Sequence, residues 1–394
     1  MFSSDLDFYE IESLFSEEEK LIRDSVRTFV NDRVLPVIGK HYTEGTFPTD
    51  LVPEIAELGL LGSTLTKYGG AGVGPIAYGL INRELERGDS GIRSFVSVQS
   101  GLVIYPINAF GNEAQRERWL PKLISGEFIG CFGLTEPDFG SNPSGMRTTA
   151  KRDGDSYVLN GAKMWITNSP IADLAVVFAR TDEGVGAFVV EKGTKGFAAP
   201  VMKGKLSLRA SVTGELTFDD CRIPAENRLP DARGLKAALA CLSQARYGIA
   251  WGAVGAAMGC FEEALGYAKE RVQFDRPIAG YQIQQQKLVE MYSRIVQAQL
   301  LAHRMGQLKA AGTLHHVAIS VAKRNNVSIA RDIARVGREI LGANGITDEY
   351  ACMRHMCNLE SVYTYEGTHD IHTLIVGQAL TGMPAFTGGA LRKD

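Results

Sequence analysis

Apolar residues recur at helical spacing through the first third of the chain. Leu14, Ile22, Val26 and Phe29 sit among charged residues and predict an amphipathic helix. Ser94 to Asn112 carries no charge, but Ser, Gln, Asn and Pro interrupt it, so it reads as a buried helix and not a membrane span. Asn112-Glu-Ala-Gln115 has the form of a capping box and predicts a short helix to Ile124. Near residue 130 the period changes. Arg152-Asp-Gly-Asp155 reads as a hairpin turn, Leu174–Ala179 and Ala187–Glu191 as short strands, and Thr213–Ile223 as a half-buried strand. From about residue 235 the pattern is helical again. Gly248, Gly252, Gly255 and Gly259 share one helix face, at about 1 kcal/mol each relative to Ala, a cost that close helix packing must offset. Long helices over about 284–311 and 318–341 predict a bundle. The pattern as a whole predicts an α+β multi-domain fold: an N-terminal helical domain over 1–129, a central antiparallel β domain over 130–233 and a C-terminal helical bundle over 234–394.

Composition narrows the classes. With 394 residues, 45% hydrophobic and 22% charged, the chain suits a globular protein of two to three domains. A net charge of −3 gives no support to a nucleic-acid partner. The six cysteines form no CxxC pair and no secretory signal is visible, so a reducing compartment is expected, cytoplasmic or, for a processed eukaryotic form, the mitochondrial matrix. Tyr68-Gly-Gly-Ala-Gly-Val-Gly follows no strand and reads as a loop. No GxGxxG follows a strand either, so a Rossmann site is unsupported.

Candidate chemistry clusters in a few places. In Tyr363-Thr-Tyr-Glu-Gly-Thr-His-Asp-Ile371, Gly367 gives backbone freedom, Thr368 suits a helix N-cap and Asp370 lies in its first turn. Glu366 stands just ahead of that helix, either as a general base or as a plain helix-start acid. Arg93 lies beside the uncharged run, with Glu86 seven residues earlier and on the same face if the helix is continuous. It reads as an internal ion pair or as a bidentate receptor for a substrate carboxylate. Phe132-Gly-Leu-Thr-Glu-Pro-Asp-Phe-Gly-Ser141 and Trp165-Ile-Thr-Asn-Ser169 offer a flat apolar wall and the hydroxyls of Thr135 and Thr167, which suit either a β core or a planar heterocycle. Arg246 enters apolar surroundings and calls for an acidic partner. His369 and His372 lack a third metal ligand at useful spacing, so no metal is expected.

Tyr-Glu-Gly-Thr about thirty residues from the C-terminus, with these motifs in this order, resembles the acyl-CoA dehydrogenase family over nearly the whole chain. Glu-Arg-Gly-Asp-Ser-Gly-Ile-Arg-Ser over 86–94 is similar to the glutaryl-CoA dehydrogenase branch. The resemblance implies FAD, an acyl-CoA substrate (glutaryl-CoA, or else a short or branched monocarboxylic acyl-CoA), a homotetramer and an electron-transfer flavoprotein as acceptor. It assigns proton abstraction to Glu366, hydride transfer to the flavin, and the distal carboxylate to Arg93 with Ser94 and Glu86. Ser141, Arg246 and Tyr365 fall at further substrate positions. Phe132, Leu134, Thr135, Ser141, Trp165, Thr167, Arg271, Phe274, Gln282, Glu339, Gly342, Ala343, Thr368 and Asp370 fall at cofactor positions. Decarboxylation to crotonyl-CoA, in amino-acid catabolism, follows from the same branch; a non-decarboxylating enzyme and a nucleic-acid-binding flavoprotein are the other forms such a chain takes. Ile92, Asp275 and Ala343 depart from the family text, where Tyr, Gly and Gly are usual.

Overall fold

The computed structural model describes residues 6–386, so the outermost positions of the two predicted terminal domains lie outside the described residues. Seven helices come first: α1 Glu17–Phe29, α2 Leu35–Glu44, α3 Val52–Glu57, α4 Pro75–Gly88, α5 Ser90–Ser97, α6 Tyr105–Phe110 and α7 Glu113–Ile124. Eight strands follow: β1 Gly130–Gly133, β2 Thr149–Asp153, β3 Ser156–Thr167, β4 Leu174–Thr181, β5 Gly184–Glu191, β6 Phe197–Ala198, β7 Thr213–Pro224 and β8 Arg228–Leu229. Then come α8 Leu235–Glu270, a small hairpin of β9 Val272–Gln273 and β10 Arg276–Pro277, α9 Gln282–Ala310, α10 His316–Ile340, α11 Ala351–Thr364 and α12 His369–Thr381. Among the described residues no helix is long and apolar enough to cross a membrane.

Local signals explain most boundaries. Ser16 and Glu19 form a reciprocal capping box that starts α1, so Leu14 lies ahead of the helix in a 3₁₀ turn and is 41% exposed. The box at Asn112 and Gln115 starts α7 as expected. The uncharged stretch is not one regular helix: a π-helical segment, Val98–Ile104, separates α5 from α6.

The chain divides into two compact units. One comprises Met1–Thr43, Gly74–Ser90 and Arg246–Asp394. Its helices approach closely where the glycines predict it. A Cβ on Gly255 would lie 1.8 Å from the Arg83 carbonyl oxygen, and one on Gly248 2.8 Å from Asn82 Oδ1. Gly79 of α4 makes the reciprocal notch, filled by Trp251. Glu84, fully buried on α4, is gripped by Arg27, Arg83 and Arg87. Burial pushes its carboxyl up, but the three guanidiniums outweigh that and hold it at about 2.

The other unit comprises Glu44–Val73 and Gly91–Ala245 and contains the sheet, ordered β6-β7-β3-β2-β4-β5-β8 with β1 beside β4. Most pairs are antiparallel; β1 and a single bridge of β2 run parallel to β4. Alternation explains the apolar run of β4. Leu174, Val176 and Phe178 enter one core with Trp119 and Leu120, while Ala175, Val177 and Ala179 enter a second with Leu159 and Leu216.

Candidate active site

The Tyr363–Ile371 strap links α11 to α12. The last backbone bond of α11 is Tyr365 N–H to the Ser361 carbonyl, at 2.9 Å, after which Tyr365 is extended. Glu366 then takes φ 53° and Gly367 φ 91°. Thr368 accepts from Ile371 N–H at 3.1 Å and caps α12, with Asp370 in its first turn. A left-handed conformation costs a glutamate about 1–2 kcal/mol. Three consecutive carbonyls show what holds it. Lys323 Nζ donates to the Tyr365 oxygen at 2.9 Å and to the Gly367 oxygen at 2.8 Å, while Arg246 Nε donates to the Glu366 oxygen at 2.7 Å. Hydrogen bonds from charged donors contribute about 1.5–3 kcal/mol each, so the three together outweigh the strain.

The surroundings of this turn are buried and cationic. Lys323 is 1% exposed and His372 wholly buried. Burial, reinforced by Lys323 and Arg246, pushes the His372 imidazole down to about 3, so it stays neutral near pH 7. Burial lowers the Arg246 guanidinium, and the charge of Glu366 works against it. The hydrogen bond between Arg246 and Glu366 runs to the backbone carbonyl of that residue. The half-buried Tyr365 ring lies 6.0 Å from Lys323 Nζ. His369 stacks on Tyr363 at 4.4 Å.

In the sheet unit, a register shift in β3 between Lys163 and Ile166 produces a bulge. Trp165 sits in it at φ 62° with its indole 57% exposed. Just before the bulge, Lys163 falls on the inward side of the strand with Tyr157 and Leu159, and its Nζ donates to the Leu134 carbonyl at 3.1 Å and to Glu136 Oε1 at 2.8 Å. Met164 N–H donates to the Thr135 carbonyl at 2.9 Å, so the segments at 132–141 and 165–169 are stitched together. Burial pushes Glu136 up, but N–H donors from Arg147 and Thr148 and the Lys163 ammonium leave it lowered. Thr135 and Thr167 are half-buried, Leu134 is buried and Ser141 exposed. The Phe132 ring belongs to the core, 5.4 Å from that of Phe178.

Elsewhere in the helical unit, Phe274 and Asp275 join β9 to β10 with φ 51° and 65°. Asp275 adopts the left-handed conformation without the glycine usual in relatives, as Asp tolerates. The Phe274 ring is 88% exposed, and Tyr281 Oη donates to the Gln273 carbonyl at 2.9 Å behind it. Arg271 and Gln282, on either side of the hairpin, are exposed. Gly342 has φ 62° and Ala343 is exposed, while Glu339 pairs with Lys287 at 3.4 Å.

The Glu86–Arg93 spacing reads differently in the structure. The helix is not continuous: α4 stops at Gly88, and Asp89 is extended, its carboxylate taken by Arg354 Nε at 3.0 Å and Asn358 Nδ2 at 2.9 Å. The shared-face argument therefore lapses. Glu86, wholly buried, accepts from Ser90 Oγ at 2.9 Å; Arg93 and Ser94 are buried in α5, at 1% and 3% exposure.

Lys323, Lys163 and Glu136 escaped the sequence reading. A signal existed for Lys323, a lone cation at the register of Ile319, Ala330 and Ala334 on the buried face of α10.

A helical N-terminal part, a β middle and a helical C-terminal part, with a carboxylate strap of this kind, define the acyl-CoA dehydrogenase fold. The family models for the acyl-CoA dehydrogenase N-terminal, middle and C-terminal domains match residues 16–127, 131–221 and 232–381. This chain belongs to the acyl-CoA dehydrogenase family. Among solved structures it is similar to glutaryl-CoA dehydrogenase from Mycobacterium smegmatis, at 55% identity over 97% of this chain and 99% of that one, with a TM-score of 0.95. It is similar also to a glutaryl-CoA dehydrogenase from the same organism in complex with FADH2, at 49% identity, 97% and 99% coverage and a TM-score of 0.96. The short-chain specific acyl-CoA dehydrogenase of Clostridium acetobutylicum is 35% identical over 370 residues, 92% of this chain and 97% of that protein.

Proposed function

We propose that this protein is an FAD-dependent dehydrogenase of glutaryl-CoA that also releases carbon dioxide and yields crotonyl-CoA. One observation carries the reading: Glu366 is held in a strained left-handed turn by two cations that bond the backbone around it. Strain kept in place at this expense belongs to sites that need a group in a fixed position.

The chain's residues suit FAD. An exposed indole on a strained bulge, beside the Thr135 and Thr167 hydroxyls, gives a wall and donors for a planar ring; Phe132, Leu134 and Ser141 complete that segment. Arg271, Phe274, Gln282, Glu339, Gly342, Ala343, Thr368 and Asp370 are proposed for the rest of the cofactor. When bound, FAD supplies the acceptor for the β-hydrogen as hydride. Glu366 takes the α-proton as general base, and the negative charge that develops goes to the thioester oxygen, where the Glu366 peptide N–H is proposed to meet it. Arg93 receives the distal carboxylate with Ser94 beside it and Glu86 in support, and Ser141, Arg246 and Tyr365 line the acyl-CoA. Loss of that carboxylate as carbon dioxide leaves a dienolate, to which Glu366 returns its proton. A homotetramer and an electron-transfer flavoprotein as acceptor complete the proposal.

The 35% identical short-chain relative favours a second reading, a dehydrogenase of a short monocarboxylic acyl-CoA. Flavin bleaching by glutaryl-CoA and butyryl-CoA, with mass identification of the CoA product, separates the two. An Arg93→Met variant is expected to lose glutaryl-CoA turnover by about 10²-fold or more and to keep butyryl-CoA turnover. Equal loss on both substrates would refute the carboxylate role.

A further inference from the structure

We infer that Lys323 is a positioning residue for the Glu366 carboxylate, setting the conformation of the strap from which that carboxylate acts. The inference rests on Glu366 being the base.

The ammonium lies on α10, buried at 1% exposure, and reaches the loop across 42 and 44 residues of sequence. It bonds the carbonyls on both sides of Glu366 and leaves the Glu366 carbonyl to Arg246. Lys323 thus straddles the left-handed residue, and fixing its two neighbouring carbonyls fixes the peptide planes that meet at its Cα. Those planes decide where the side chain leaves the backbone. The arrangement has no slack on its inner side: a Cβ added at Gly367 would lie 3.0 Å from His372 Nε2 and 3.3 Å from Arg246 Nη2. If the bonds from Lys323 are removed, the residue at φ 53° is free to relax toward negative φ, which swings the carboxylate away.

Groups from three elements lie around the ammonium. The Tyr365 ring lies at 6.0 Å, and His372 and His369 approach from α12. Arg246 meets the same strap from α8. Bonded to the carbonyls on both sides of Glu366, the Lys323 charge lies beside the residue proposed as base, and a neighbouring cation favours an ionised carboxylate.

The test compares FAD-loaded wild type, Lys323→Met, Lys323→Gln and Glu366→Gln. Lys323→Met is expected to bind FAD and acyl-CoA as wild type does, while flavin reduction slows by about 10- to 100-fold. The pH midpoint of that reduction moves up, and amide hydrogen exchange rises in the peptide spanning 361–374. A merely structural lysine would not shift the pH midpoint. If Lys323→Met fails to fold, Lys323→Gln decides, since its amide can donate to both carbonyls without the charge. It is expected to recover most of the rate and to keep the raised midpoint. Wild-type rate, midpoint and exchange in the Met variant overturn the inference, as does a folded Gln variant that recovers none of the rate. Glu366→Gln separates the two levels: if it keeps its flavin reduction, the base assignment itself fails, whatever Lys323 does.

Discussion

Four substitutions along one helix should have different, and even opposite, effects on stability. On α8, Gly255 and Gly266 are both helical, and replacing either by Ala adds about 1 kcal/mol of helix propensity. Their surroundings differ. A Cβ at 266 meets nothing within 4 Å, so Gly266→Ala keeps the whole gain. A Cβ at 255 lies 1.8 Å from the Arg83 carbonyl oxygen, 2.7 Å from its carbon and 3.0 Å from Arg87 N. These are backbone atoms of α4 and cannot rotate away. Ordinary contact needs roughly 3.5 Å, so the helices must part by more than an ångström. Overpacking costs about 1–3 kcal/mol, and this case lies at the upper end. Gly255→Ala therefore loses about 2 kcal/mol net, or about 4–8 °C in melting temperature for a unit of 150–250 residues. Gly248→Ala meets the side-chain oxygen of Asn82 at 2.8 Å, and Gly259→Ala meets the Arg87 oxygen at 3.0 Å; both fall between the extremes. Thermal melts of the FAD-loaded enzyme, each repeated by denaturant titration, give the order. If Gly255→Ala melts with wild type, or Gly266→Ala is as damaging, the reasoning from close approach is refuted.

Two further outcomes are expected. His355 is wholly buried on α11, and burial, with Arg354 beside it, pushes its imidazole down to about 3. Unfolded, it titrates near 6.5, so between these values the unfolded chain binds the extra proton and stability falls as pH drops, by about 1.4 kcal/mol per unit. His355→Leu should therefore narrow the stability gap between about pH 7 and pH 5 by about 2 kcal/mol in denaturant titrations, and an unchanged gap would contradict the assignment. Gly367→Ala places a methyl against His372 and Arg246 at a residue with φ 91°, so turnover should drop by about 10- to 100-fold with FAD content retained. Wild-type turnover in that variant would show that the strap tolerates another conformation.

Periodicity carried the fold far because each element obeys local rules. The cap at Asn112, the hairpin at Gly154, the alternation in Thr213–Ile223 and the glycine face of α8 all act within a few residues. What stayed hidden was set at long range. The break at Asp89 depends on Arg354 and Asn358, more than 260 positions away, so no reading of 86–94 could show that the helix stops there. The site divides in the same way. Glu366, Trp165 and Arg246 stand in recognisable text, whereas Lys323 looks like an ordinary charge on a helix until its ammonium is seen on two carbonyls of the strap.

The seam between the two sheet segments also bears on protein engineering. Met164 N–H, the Thr135 carbonyl and the Lys163 ammonium join stretches that a designer would treat as separate cassettes. Transplanting 132–141 into a related scaffold without 163–169 would strand the buried Glu136 carboxylate and take the ammonium from the Leu134 carbonyl. The two are inherited, exchanged or redesigned as one block.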